Sequence, residues 1–169
     1  MSPQRRPASG GTGRRPRRAA RLAAVQALYQ MELTGCSAEA AIGEFIAHGP
    51  ARSGEAEPYG PPDADTFATL VIGVTRQREE LDNLLSAVIS EDWTVERLET
   101  LLRAILRAGA FELSEHRDTP PRVAISEYVG VTDAFFAGKE PAFVNGVLDR
   151  LAHALRPDEL GPAGRAATE

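Results

Sequence analysis

The residues best equipped for chemistry lie in one run, Arg14-Arg15-Pro16-Arg17-Arg18-Ala19-Ala20-Arg21, which passes without a break into Leu22-Ala23-Ala24-Val25-Gln26-Ala27-Leu28-Tyr29. Guanidinium groups are planar forks of donors that pair with phosphate or carboxylate oxygens, so a cluster of them fits a polyanion. Leu22, Val25 and Tyr29 recur at helical spacing, with Ala24, Leu28 and Met31 beside them. That stripe predicts an amphipathic helix with Arg17, Arg18 and Arg21 on the surface of its first turns. Cations at a helix start oppose the helix dipole, so local helix stability does not account for them. A bound polyanion would; a solvated basic tail is the alternative.

Other chemistry is sparse. His48, His116 and His153 stand singly in a loop, a helix end and a terminal helix, and no pair has metal-ligand spacing. Neither a phosphate-binding loop nor a Gly-x-Gly-x-x-Gly turn after a strand is present. The single Cys36 excludes an internal disulfide and suits a reducing cytoplasm. No catalytic group, metal site or cofactor is therefore expected. Phe143 falls roughly 90° from the middle of its helix's apolar stripe, close to Lys139, so it is expected to be partly exposed. An exposed ring beside a cation can stack an unpaired base. Arg103 and Arg107, one turn apart, are expected to be structural, with Glu99 pairing with Arg103 at i, i+4.

The elements that must position these groups all read as helices. The first ends at Gly35, a natural C-terminal cap. Ser37 caps a second, whose apolar face is Ala38, Ala41, Ile42, Phe45 and Ile46. Residues 49–62 read as a connecting loop rich in proline and glycine. A long helix then carries Phe67, Val71, Val74, Leu81, Leu85 and Val88 on one face. Thr94 is the expected N-cap of the most apolar helix, with Leu98, Leu101, Leu102, Ile105, Leu106, Gly109 and Leu113, taken as the central rod. Val123 to Phe136 forms the next, and Pro141 opens a last one striped by Val144, Val147, Leu148, Leu151 and Leu155. Gly146 in that helix is expected to permit close packing. Residues 1–16 are expected to be a flexible basic arm and 157–169 a flexible tail. Between them lies one globular unit of two helical subdomains, about 17–90 and 94–156.

Length and charge bound the class. A chain of 169 residues suffices for one domain or two small subdomains sharing a core. The net charge of −5 hides an asymmetry: residues 1–21 hold seven arginines and no acid, leaving 12 basic against 24 acidic side chains elsewhere. Such a molecule should meet nucleic acid through one end only. No stretch approaches the roughly 20 apolar residues of a membrane span.

Four blocks in order carry a family resemblance. Arg17-Arg18-Ala-Ala-Arg21-Leu-Ala-Ala-Val25-Gln26-Ala27-Leu28-Tyr29 resembles the opening of the NusB transcription antitermination factors. Leu102-Arg-Ala-Ile-Leu-Arg107-Ala-Gly-Ala-Phe-Glu112-Leu113, Pro121-Arg-Val-Ala-Ile125-Ser-Glu127 and Phe143-Val-Asn-Gly-Val-Leu-Asp149-Arg continue it. The resemblance implies an all-α, NusB-like fold and a non-catalytic role. It implies binding of boxA-type single-stranded leader RNA of ribosomal RNA operons together with the ribosomal protein NusE, within the RNA polymerase antitermination complex. RNA-binding residues carried over are Arg14, Arg15, Arg17, Arg18, Arg21, Phe136, Lys139 and Phe143, and Tyr29 matches the partner-binding face. Ser126 departs from the usual Asn before Glu127, and Leu102 stands where relatives often carry an acid facing the partner. The competing expectation is a helical protein-interaction module, alone or as a homodimer, with a passive basic tail.

Overall fold

The structure is a computed structural model that describes residues 13–49, 61–90 and 93–160. Among the described residues the regular structure is helical throughout. The helices are α1 (Arg14–Thr34), α2 (Ala38–His48), α3 (Ala64–Arg76), α4 (Arg78–Val88), α5 (Thr100–Glu115), α6 (Pro121–Phe135), α7 (Glu140–Leu155) and α8 (Pro157–Leu160). Every residue of α5 from Ala104 to Leu113 is buried, and α5 packs against α1, α3, α4, α6 and α7. It is the central rod that its apolar composition predicts.

Local chemistry sets most boundaries. Gly35 takes the left-handed conformation (φ 74°) and its N–H donates to the Met31 carbonyl, closing α1. The Ser37 and Asp63 side chains accept from the backbone N–H groups of Ala40 and Thr66, capping α2 and α3. Pro121 and Pro141 sit in the first turns of α6 and α7, where the missing N–H costs nothing.

Several expectations are corrected. α1 begins at Arg14, so Arg14, Arg15 and Pro16 belong to the helix and not to an arm. Its buried stripe is Ala20, Arg21, Ala24, Val25 and Leu28, while Leu22 and Tyr29 are only half-buried. The stripe is thus rotated from the expected one, and the rotation carries Arg21 inward. On α2, Ile46 is 75% exposed instead of packed.

The expected single helix from Asp63 to Val88 is two helices. Gln77 (φ −106°, ψ 17°) turns the chain while its N–H still bonds the Gly73 carbonyl and its carbonyl still accepts from Leu81. A straight helix over this span would run about 38 Å, longer than a small core can cover. The break lets α3 lie on α1 and α5, and α4 on α5 and α7. Because the hydrogen bonds bridge the turn, the apolar phase survives it and hides it from the sequence.

Thr94 makes no side-chain cap; it precedes a 3-10 turn, Val95–Arg97, and α5 starts five residues later than expected of a helix capped there. Arg103 secures that turn by donating to the carbonyls of Glu96 and Leu98. Gly146 meets nothing within 4 Å of an added Cβ. Close approach occurs instead at Gly109, where a Cβ would lie 2.8 Å from Leu148, and at Gly73, 2.2 Å from the Phe111 ring. Pro157–Leu160 is helical with Leu160 buried, so these four residues are not the flexible segment expected. The fully buried Arg156 guanidinium holds this segment, donating to the carbonyls of Thr119 and Arg117 and pairing with Glu159. The expectations for residues 1–12, 50–60 and 161–169 fall outside the described residues.

Candidate nucleic-acid interface

The arginine run forms a column down the first turns of α1, and α5 and α6 bring acids to meet it. Arg14, Arg15 and Arg17 are exposed, and the first turn of α1 contains no acid of its own. Arg18 points its Nε and Nη2 at the two carboxylate oxygens of Glu127 on α6, both at 2.9 Å. Its side chain is 35% exposed, while that of Glu127 is 1%. Arg14 Nε lies 3.5 Å from the same carboxylate.

Arg21 is not at the surface, contrary to expectation. It is 4% exposed and makes a two-bond fork with Glu112 of α5 at 2.8 and 2.9 Å, with Glu127 a further 3.8 Å from Nη1. A buried charge persists only when it is paired and hydrogen-bonded, and this pair meets both conditions. Burial works against the Arg21 cation, but the Glu112 hydrogen bonds and charge outweigh it and raise its pKa above the ordinary value. Burial likewise works against the Glu127 anion; its hydrogen bonds from Arg18 and the charges of Arg18, Arg21 and Arg14 prevail and lower its pKa. The fully buried Tyr128 phenol beside them is pushed up, by burial first and then by Glu112.

Glu112 and Glu127 are the residues that reasoning from the sequence missed. The signal was present. Arg21 lies four and seven residues before the buried Val25 and Leu28, on their face of α1, and Glu112 lies seven residues after Ile105, on the buried face of α5. Two opposite charges on two apolar faces announce a buried pair.

α6 also connects this column to the aromatic residues. Phe136 caps α6 nine residues after Glu127, about 13 Å along the helix axis. Lys139 follows, exposed, at the N-cap of α7, and its carbonyl accepts from the Phe143 N–H. Phe136 and Phe143 are both half-buried and packed against the core. α6 therefore meets the α1 cations through Glu127 and ends at Phe136, and Phe143 follows in the first turn of α7.

Tyr29 lies elsewhere. It lines a largely apolar groove of about 760 Å³ with Cys36, Phe45, Phe67, Leu101 and Phe135. Leu102 next to that groove is buried. Arg103 and Arg107 are structural, as expected. Arg103 pairs with Glu32 of α1 at 2.6 Å instead of Glu99, and Arg107 pairs with Asp82 of α4 at 2.7 Å and with Glu32 at 3.4 Å. Among the described residues no group of three potential metal ligands converges, and no helix is long and apolar enough to cross a membrane.

Known proteins share this fold. The NusB family model matches residues 18–153. The transcription antitermination protein NusB of Maricaulis maris is 49% identical over 146 residues, covering 86% of this chain and 91% of that protein. Among solved structures, T. maritima NusB superposes with a TM-score of 0.70 at 26% identity, covering 86% of this chain and 96% of its own. A chain from a crystal structure of the antitermination factors NusB and NusE with double-stranded RNA shares the fold, with a TM-score of 0.68 at 24% identity over 84% of this chain and 99% of that one. The ordered motifs, the helical bundle and these matches agree: the chain belongs to the NusB family.

Proposed function

We propose that the protein is a non-catalytic, RNA-binding transcription antitermination factor of the cytoplasm. It takes a boxA-type single strand from the leader of ribosomal RNA transcripts together with NusE, as part of the RNA polymerase antitermination complex. The observation that carries this reading is the exposed cationic first turn of α1, Arg14, Arg15 and Arg17, on a chain whose remainder is strongly acidic. Those guanidiniums oppose the helix dipole, so their placement favours an external anion. Arginines position the phosphates, and the half-buried Phe136 and Phe143, beside Lys139, offer faces on which unpaired bases stack. The acidic body confines contact to this end, which leaves specificity to be completed by a second protein. The relatives named as antitermination proteins and the NusB chain found with NusE and RNA support the same reading, and the groove at Tyr29 is the proposed partner-binding face.

The test replaces Arg15 and Arg17 together by Ala. Affinity for a short leader RNA, with NusE present, is expected to drop at least several-fold. The salt dependence should flatten by about 1.4, at roughly 0.7 per lost single-strand phosphate contact. Helicity should not fall, because alanine relieves a dipole conflict. Undiminished RNA binding in this variant would remove the first turn of α1 from the mechanism.

A further inference from the structure

An acid lies beneath the surface that the strand is proposed to meet. Glu127 is buried to 1% exposure, yet Arg18, its partner through two 2.9 Å bonds, remains 35% exposed, so the pair forms the floor of the cationic turn. The carboxylate occupies the Arg18 fork in the way that a phosphate would. It also reaches Arg14, whose side chain is 76% exposed, at 3.5 Å. A phosphate arriving at Arg14 or Arg18 therefore meets a fixed negative charge a few ångströms further in, in surroundings where screening is weaker than in water. Glu112, by contrast, spends its charge on Arg21 below the surface.

We propose that Glu127 sets the strength of the RNA face by cancelling the charge of Arg18. Arg18 then acts as a strut between α1 and α6, and the phosphates are taken by Arg14, Arg15 and Arg17. Glu127 is in this sense a positioning residue that holds affinity below what the arginine count alone would give. The proposal rests on the RNA-binding reading above.

A double-mutant cycle tests it, with Arg18→Gln, Glu127→Gln and the two combined. Each protein is titrated with a labelled single-stranded RNA of about 12 nucleotides from the leader, NusE present, across a salt series. Glu127→Gln should bind several-fold tighter, with a salt slope steeper by about 0.7 because one more cation engages phosphate. Arg18→Gln should bind several-fold weaker, since its carboxylate is left uncancelled. The double variant should return to within about twofold of the wild type with the wild-type slope. If Arg18 itself contacts phosphate, the double variant stays as weak as Arg18→Gln, and the proposal fails. If Glu127 is only a staple, Glu127→Gln leaves the slope unchanged and does not tighten binding, which also overturns it. The double variant exchanges one neutral pair for another and is the least prone to unfold, and together with either single variant it decides if the other is lost, because a staple moves neither single variant's binding and a phosphate contact leaves the double variant weak. A wild type that holds no RNA in any arm sinks the RNA reading and this proposal together, whereas a binding wild type with an unrestored double variant sinks this proposal alone.

Discussion

Arg21 and Glu112 are 91 positions apart in the chain, yet each is the other's two-bond partner in a buried place, with Glu127 further off. Breaking such a pair costs far more than the pair is worth, because one charge is left behind. Arg21→Met alone is expected to destabilise the fold by about 3 to 5 kcal/mol, while Arg21→Met combined with Glu112→Leu should recover most of that loss. Urea denaturation of the three proteins measures both. Glu127 makes a second expectation, for acid. Its folded pKa lies below the ordinary 4.5, so its contribution is complete above the unfolded value and is lost as pH falls through the folded one. Denaturation midpoints should decline below about pH 4.5, and Glu127→Gln should flatten that decline without altering the neutral plateau's independence of pH. Arg21, with its raised pKa, stays charged throughout this range. The types of these residues were legible in the sequence, and their run was correctly marked as unusual. Their partners were not, because periodicity within one helix says which face a residue occupies and nothing about which distant helix covers it.

Helices were legible where a residue's own chemistry marks them. Gly35, Ser37 and Pro141 each do at a boundary what their side chains favour, and the stripes of α5 and α7 are buried apart from the half-buried Leu101 and Leu155, whereas α6 starts at Pro121, two residues before the expected Val123. The turn at Gln77 was not legible, since no glycine or proline marks it and the apolar phase runs through it. Nor was the role of each glycine, which depends on what faces it. Gly73 and Gly146 make the contrast measurable. A methyl group at Gly73 would collide with the Phe111 ring at 2.2 Å, and with α5 enclosed on several sides the ring has little room, so Gly73→Ala should cost about 1 to 3 kcal/mol. At Gly146 the added Cβ meets nothing, and alanine's better helix propensity should leave stability unchanged or raise it by up to about 1 kcal/mol. Thermal melts of the two variants should move in opposite directions or, at the least, separate clearly.

The four ordered motifs made the whole molecule legible before any coordinate did, because a family's core faces and turns occur in a fixed order along the chain. What they could not give is the field around the fold. Residues 1–21 carry seven positive charges and no acid, against a net −12 on everything after them. A strand bound at the start of α1 therefore gains attraction only over the few phosphates that lie against that end. Further nucleotides run past an acidic body, where each added phosphate meets repulsion within a Debye length at low salt. For a uniformly basic RNA-binding surface, lengthening the strand adds contacts and affinity. Here the opposite balance is expected: a leader RNA several times longer than about 12 nucleotides should bind no tighter per site than the short one, and should fall further behind the short one as the ionic strength is lowered. Titrations of both strands at two salt concentrations read this directly, and a long strand that gains more affinity than the short one at low salt would mean that the acidic body does not steer the RNA.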